Sequence, residues 1–134
     1  MDHISCVALD LDDTLWECNP YPFIGQVNFE LLDIIKSFHR AGGKVIINTC
    51  REDIQAAYAI EKLNEIGLKY DAFNENLPER IKQYGSDCRK IGADTYIDLK
   101  TPGCTIEAIR EALLSPENLK QLRMKPRFKL NAKR

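Results

Sequence analysis

Four short apolar runs, at residues 4–9, 44–48, 70–73 and 95–98, alternate with stretches whose apolar residues recur at helical spacing. Strands that alternate with single helices are joined by right-handed crossovers, which builds a parallel sheet covered on both faces. The predicted fold class is therefore α/β, a three-layer α/β/α Rossmann-like parallel sheet. Phe29, Leu32, Ile35 and Phe38, with Leu31 and Ile34 beside them, follow Asn28 as an N-cap. Ala56, Ala59, Ile60, Leu63 and Ile66 run to Gly67, a residue suited to the C′ position. Ile106, Ile109 and Leu113 follow Thr105, and Ser115-Pro116 reads as the cap and first position of a last helix.

Ligands of such sheets bind beyond the carboxyl ends of the strands. Asp10 and Asp12 close the first run, Thr49 follows the second, Asn74 the third, and Asp98 closes the fourth. Two carboxylates one residue apart after a buried strand repel each other unless a cation lies between them. Aspartate oxygens with few other ligands suit Mg²⁺, which leaves positions for phosphate oxygens. The residues thus point to Mg²⁺-dependent phosphoryl chemistry with one aspartate as nucleophile. Thr49 and the amides around it are placed to hydrogen-bond phosphoryl oxygens. Cys50 reads as a small wall residue, because His3 and His39 lie in segments remote from the motifs. Arg51 reads either as a bidentate grip on a second anionic group or as a surface ion pair.

Asp10-Leu11-Asp12-Asp13-Thr14 resembles the first motif of the haloacid dehalogenase (HAD) superfamily, most of whose members are phosphatases. Asn48-Thr49-Cys50-Arg51-Glu52, Phe73-Asn74-Glu75-Asn76-Leu77-Pro78-Glu79-Arg80, and Arg89-Lys90 before Ala93-Asp94-Thr95-Tyr96-Ile97-Asp98 resemble a group of small, capless bacterial and phage hydrolases within it. The resemblance implies that Asp10 is the nucleophile and forms an aspartyl-phosphate. It implies that Asp12 is the general acid and base, its backbone carbonyl also meeting the metal. Lys82, Arg89 and Lys90 are the candidate cations that reach the phosphate and Asp10. Members of the superfamily place this lysine just before the fourth strand, which selects Lys90. Asp98 is expected to complete the Mg²⁺ site with Asp10 and Asp12. The pattern departs at Leu99, where relatives commonly carry a second acid. Asp94 cannot replace it, because four residues of strand place it about 13 Å away, near the other end of the sheet.

At 134 residues, with 44% hydrophobic and 29% charged residues, the chain is sized for one soluble domain. Residues 1–114 are read as the hydrolase core and 115–134 as a basic C-terminal helix or tail. That tail holds seven lysines and arginines against Glu117 alone, although the whole chain has a net charge of −1. It is either a solvated helix folded back on the body or a patch for nucleic acid. Five widely spaced cysteines without a Cys-x-x-Cys pair fit reduced thiols, and no apolar stretch is long enough to span a membrane. The expectation is a cytoplasmic protein with no membrane association.

Thr14 and Thr49 are separated by 34 residues, and Thr49 and Lys90 by 40. One helix, or one helix with a strand and a short segment, fills each interval, so no cap domain is expected. The site is then open, covered at most by residues 16–25. In that loop Trp16, Tyr21 and Phe23 either stack on a base or sugar or pack the loop itself. An open site suits a phosphate carried on something large, or a cap lent by a second subunit. The expected function is hydrolysis of a phosphomonoester on a nucleotide, a nucleic-acid end or a sugar. The alternative is a non-catalytic module of this fold that binds an acidic partner through its basic tail. Phosphotransfer to an acceptor other than water uses the same residues.

Overall fold

Cys6-Val7-Ala8-Leu9 is buried along its whole length, as a central strand covered on both sides must be. The computed structural model describes residues 3–87 and 90–132, with residues 125–132 described as helix backbone only. The elements run β1 (Cys6–Leu9), α1 (Phe29–Arg40), β2 (Lys44–Ile47), α2 (Asp53–Glu65), β3 (Ala72–Phe73), α3 (Pro78–Tyr84), β4 (Thr95–Ile97), α4 (Ile106–Leu114) and α5 (Pro116–Ala132). All four strands are parallel, in the order β3-β2-β1-β4. The chain is α/β, with the Rossmann-like layering that its strand–helix alternation predicts. It steps outward from β1 to β3 and then returns to the other flank of β1. The crevice where strand order reverses therefore opens between the carboxyl ends of β1 and β4.

The two faces of the sheet are unequal. Val7, Leu9, Val45, Ile47 and Ile97 share one core with Leu31, Ile35 and Phe38 of α1, Leu63 of α2, Ile109 and Leu113 of α4, and Leu122 of α5. Each such side chain, fully buried, contributes about 1.5–3 kcal/mol. Cys6, Ile46, Ala72 and Leu77 form a much smaller cluster of their own. Helix α3 buries none of its side chains. That is why residues 78–84 carry no helical apolar period; Pro78 at the first turn and left-handed Gly85 at the end delimit the helix instead.

The expected caps form. Asn28 Oδ1 accepts from Leu31 N at 3.0 Å, Thr105 Oγ1 from Ala108 N at 3.1 Å, and Ser115 Oγ from Asn118 N at 3.2 Å. Gly67 follows α2 with φ +76°, a conformation open to glycine. Asn118 is buried and pins α5 to the start of β1, donating to Ile4 O at 3.0 Å and accepting from Ile4 N at 2.6 Å. Asp94 lies at the amino end of the sheet, where its Oδ2 accepts from Ser5 N, Ser5 Oγ and Cys6 N at 2.9, 2.9 and 3.1 Å.

Residues 16–27 fold as a small hairpin. Glu17 N donates to Gln26 O at 2.9 Å, and Trp16 pairs with Val27. Among the described residues no further domain is inserted. No helix among them is long and apolar enough to cross a membrane. Arg89, one of the candidate cations, and the basic side chains from Lys125 onward lie outside the described residues.

Candidate active site

β1 pairs with both neighbours as far as Leu9, which lies opposite Ile47 on one side and Ile97 on the other. Beyond that point Asp10 N donates to Ile97 O at 3.0 Å and Asn48 N to Leu9 O at 2.9 Å. These bonds bring Asp10, Thr49 and Asp98 to one edge. The chain then turns tightly: the amides of Thr14, Leu15 and Trp16 all donate to Leu11 O. The turn swings the Thr14 hydroxyl back to Asp10 Oδ2 at 2.8 Å and to Asp98 Oδ1 at 3.5 Å. Leu99 N donates to the same hydroxyl at 3.1 Å. Buried Thr14 thus couples the strand ends that carry the two acids.

The cation beside Asp10 is Lys100. Its Nζ lies 2.8 Å from Asp10 Oδ2, 2.9 Å from the Asp12 carbonyl oxygen and 3.7 Å from Asp98 Oδ1. Partial burial alone would lower its pKa. The bond to Asp10 and the charges of Asp10, Asp98 and Asp13 outweigh that and hold it above the ordinary lysine value. Lys90, the residue expected here, is exposed, and its Nζ stands 6.0 Å from the centroid of the Tyr96 ring. Lys82 sits in the last turn of α3. Sequence reasoning missed Lys100; the one signal that could have found it is its place two residues after Asp98, at the strand end.

The Asp12 side chain points elsewhere. Arg51 Nε lies 3.1 and 3.0 Å from its two oxygens, Arg51 Nη2 is 2.9 Å from Oδ1, and Trp16 Nε1 donates to Oδ1 at 2.9 Å. Burial would raise the pKa of Asp12, but these hydrogen bonds and the Arg51 charge hold it below the usual carboxylate value. Arg51 itself is 1% exposed. Nη2 also donates to Pro22 O at 2.9 Å, and the guanidinium carbon stands 5.0 Å from the Tyr21 ring centroid and 5.9 Å from that of Tyr58. The fork expected to grip a substrate anion, or to make a surface ion pair, is instead a buried internal clamp. Its Nη1 is, among the described residues, the one buried side-chain nitrogen or oxygen without a hydrogen-bond partner.

The remaining candidates divide between the site and its supports. Thr49 N donates to Asn74 Oδ1 at 2.8 Å, and Thr49 Oγ1 accepts from Arg51 N at 3.2 Å. Cys50 is exposed beside them. Asn76 is a structural residue: its amide bonds Asp87 Oδ1 and Lys90 O, and Gly92 N donates to its Oδ1. Trp16 is 1% exposed and belongs to the core, whereas Tyr21 and Phe23 are 57% and 56% exposed on the hairpin.

Asp10, Asp98 and the Asp12 carbonyl are hard oxygen donors of the kind Mg²⁺ takes, and they converge on one point. Lys100 Nζ holds that point. Among the described residues no group of three or more His, Cys, Asp or Glu side chains is arranged to hold a metal ion. The expected set differs from such a group, counting two carboxylates and one backbone carbonyl.

No model of a known protein family matches the chain, and no curated protein matches it. Among solved structures, the chain is similar to a conserved protein from Bacteroides thetaiotaomicron. The two are 28% identical with a TM-score of 0.69, over 82% of this chain and 88% of the other. The likeness supports the α/β architecture.

Proposed function

We propose that this chain is a phosphohydrolase of HAD type that attacks a phosphomonoester with Asp10. The observation that carries the reading is the convergence of Asp10, Thr14, Asp98 and Lys100 in the crevice between β1 and β4. An Asp10 oxygen attacks phosphorus, the ester oxygen departs, and water later cleaves the aspartyl-phosphate. Thr14 orients the Asp10 carboxylate. The loop after β2, with half-buried Thr49 and exposed Cys50, receives the phosphoryl oxygens. With Lys100 withdrawn, Asp10, Asp98 and the Asp12 carbonyl are the groups that would hold Mg²⁺, which supplies Lewis-acid polarisation of a phosphoryl oxygen.

The open edge and the exposed Tyr21 and Phe23 favour a phosphate presented on a larger body, such as a nucleotide, a nucleic-acid end or a sugar. The test is phosphate release from a panel of phosphomonoesters by wild type and Asp10→Asn, with and without Mg²⁺. Release by wild type and none by a folded Asp10→Asn is expected; an active, folded variant overturns the nucleophile. One observation favours a second reading, a non-catalytic module: both motif aspartates are already matched by the chain's own cations, Arg51 and Lys100. Folded wild type that releases no phosphate from any panel member would favour that reading.

A further inference from the structure

Asp10 and Asp98 reach the carboxyl edge from adjacent strands, and both carboxylates fall within reach of the single Thr14 hydroxyl. Two carboxylates so placed require a cation between them. The chain supplies one. Lys100 N donates to Asp98 Oδ1 at 2.9 Å, and Thr101 N donates to Asp98 O at 2.9 Å, which folds residues 98–101 back over the strand end. That turn carries the Lys100 ammonium onto Asp10 and the Asp12 carbonyl.

We propose that Lys100 is a tethered cation in the seat of the divalent metal, so that Mg²⁺ enters only by displacing its ammonium. The inference rests on the donor set assigned in the proposed function. Spacing supports it. Nitrogen to oxygen separations of 2.8 and 2.9 Å are those of a charge-assisted hydrogen bond. Mg²⁺ demands about 2.0–2.1 Å, so these two oxygens must draw in by about 0.8 Å to hold it, and Asp98 Oδ1, 3.7 Å from the ammonium, by about 1.6 Å. The seat as built has ammonium dimensions. The way out for the ammonium is open, because the Lys100 side chain is 53% exposed.

The tether makes the competitor intramolecular, always present at the seat whatever the solution contains. Mg²⁺ then binds only the fraction of molecules whose lysine has swung away, and its apparent affinity falls by that fraction. Until the metal arrives, Asp10 stays ion-paired and the site stays assembled.

The test is calorimetric titration of Mg²⁺ into wild type, Lys100→Met and Lys100→Gln, each checked for folding by circular dichroism. Both variants are expected to bind Mg²⁺ about tenfold or more tighter than wild type. Without metal they should melt below wild type, with Mg²⁺ restoring the loss. Adding Asp98→Asn to Lys100→Met should abolish the tight binding. Equal affinity across the three proteins, no binding by either variant, or tight binding that survives Asp98→Asn would each overturn the proposal. No turnover enters these titrations. A protein that behaves as expected here yet releases no phosphate would remove the hydrolase reading and leave the tethered cation standing.

Discussion

Arg51 and Asp12, 39 residues apart in the chain, form a two-armed ion pair in which Nε lies 3.0 Å from Oδ2 and Nη2 lies 2.9 Å from Oδ1. The guanidinium is buried, and the pair ties the loop after β2 to the turn after β1. Removing one partner strands the other charge. Arg51→Met is expected to lose about 2–3 kcal/mol, in line with hydrogen bonds to charged groups. Urea denaturation measures the loss, and Arg51→Met/Asp12→Leu should recover part of it. A single variant as stable as wild type would show that the pair contributes nothing net.

On the proposed hydrolase reading, the same pair bears on the leaving group. A carboxylate held ionised by Arg51 and Trp16 is a poor proton donor to a departing oxygen. General-acid help is worth about 10²–10⁴-fold, so substrates that need a proton on the leaving group lose about that factor. Aryl phosphates, whose leaving groups depart as anions, should therefore be turned over faster than alkyl phosphates by at least about 10². Initial rates across a leaving-group series decide this. A flat series would mean that Asp12 leaves Arg51 during the reaction and donates its proton.

The strand ends were legible because a buried parallel strand is written locally, as a short apolar run with a polar residue after it. Asp10, Thr49, Asn74 and Asp98 each follow such a run, and the parallel sheet brings all four to one edge. Helices α1 and α4 were legible for the same reason, each with a cap and an apolar face. Helix α3 has no buried face and so leaves no period to read. The two decisive charge pairs belong to neither kind of signal. Arg51 finds Asp12 only through the packing of the hairpin, and Lys100 finds Asp10 only because the turn after Asp98 folds back. Trp16, read beside Tyr21 and Phe23 as one loop group, separates from them because its indole is held in the core by Asp12.

Cys6 gives a pH dependence away from the site. Burial in the smaller cluster, reinforced by the nearby Asp94 charge, pushes its thiol pKa from 9.0 up to about 11. A raised folded-state value means that the stabilisation is fully present below pH 9. It is lost as pH rises toward about 11, where the unfolded chain ionises first. Each unit of separation is worth about 1.4 kcal/mol. Denaturation midpoints for wild type should fall across this window, and Cys6→Ala should flatten that slope while lowering stability at neutral pH. Parallel slopes for the two proteins would assign the alkaline loss to other groups.

Leu99 occupies the position where an acid is expected, yet restoring the acid should not help. The half-buried Leu99 side chain packs against the larger core and lines a hollow of about 360 Å³ with Asp13, Thr14, Trp16, Glu17 and Val27, on the hairpin side of the strand end. A carboxylate there gives up the Leu99 packing against the core and joins the acids Asp13 and Glu17 of the same hollow, with the Leu99 amide already committed to Thr14. Leu99→Asp is expected to lower stability by about 1–2 kcal/mol, from the apolar packing lost at a half-buried position. Lys100 would still hold Asp10, so Mg²⁺ affinity should stay at the wild-type level. Thermal melts and metal titration of the one variant read both effects. Tighter Mg²⁺ binding with undiminished stability would instead place the side chain at 99 in the cation seat, with the turn after Asp98 rearranged to deliver it.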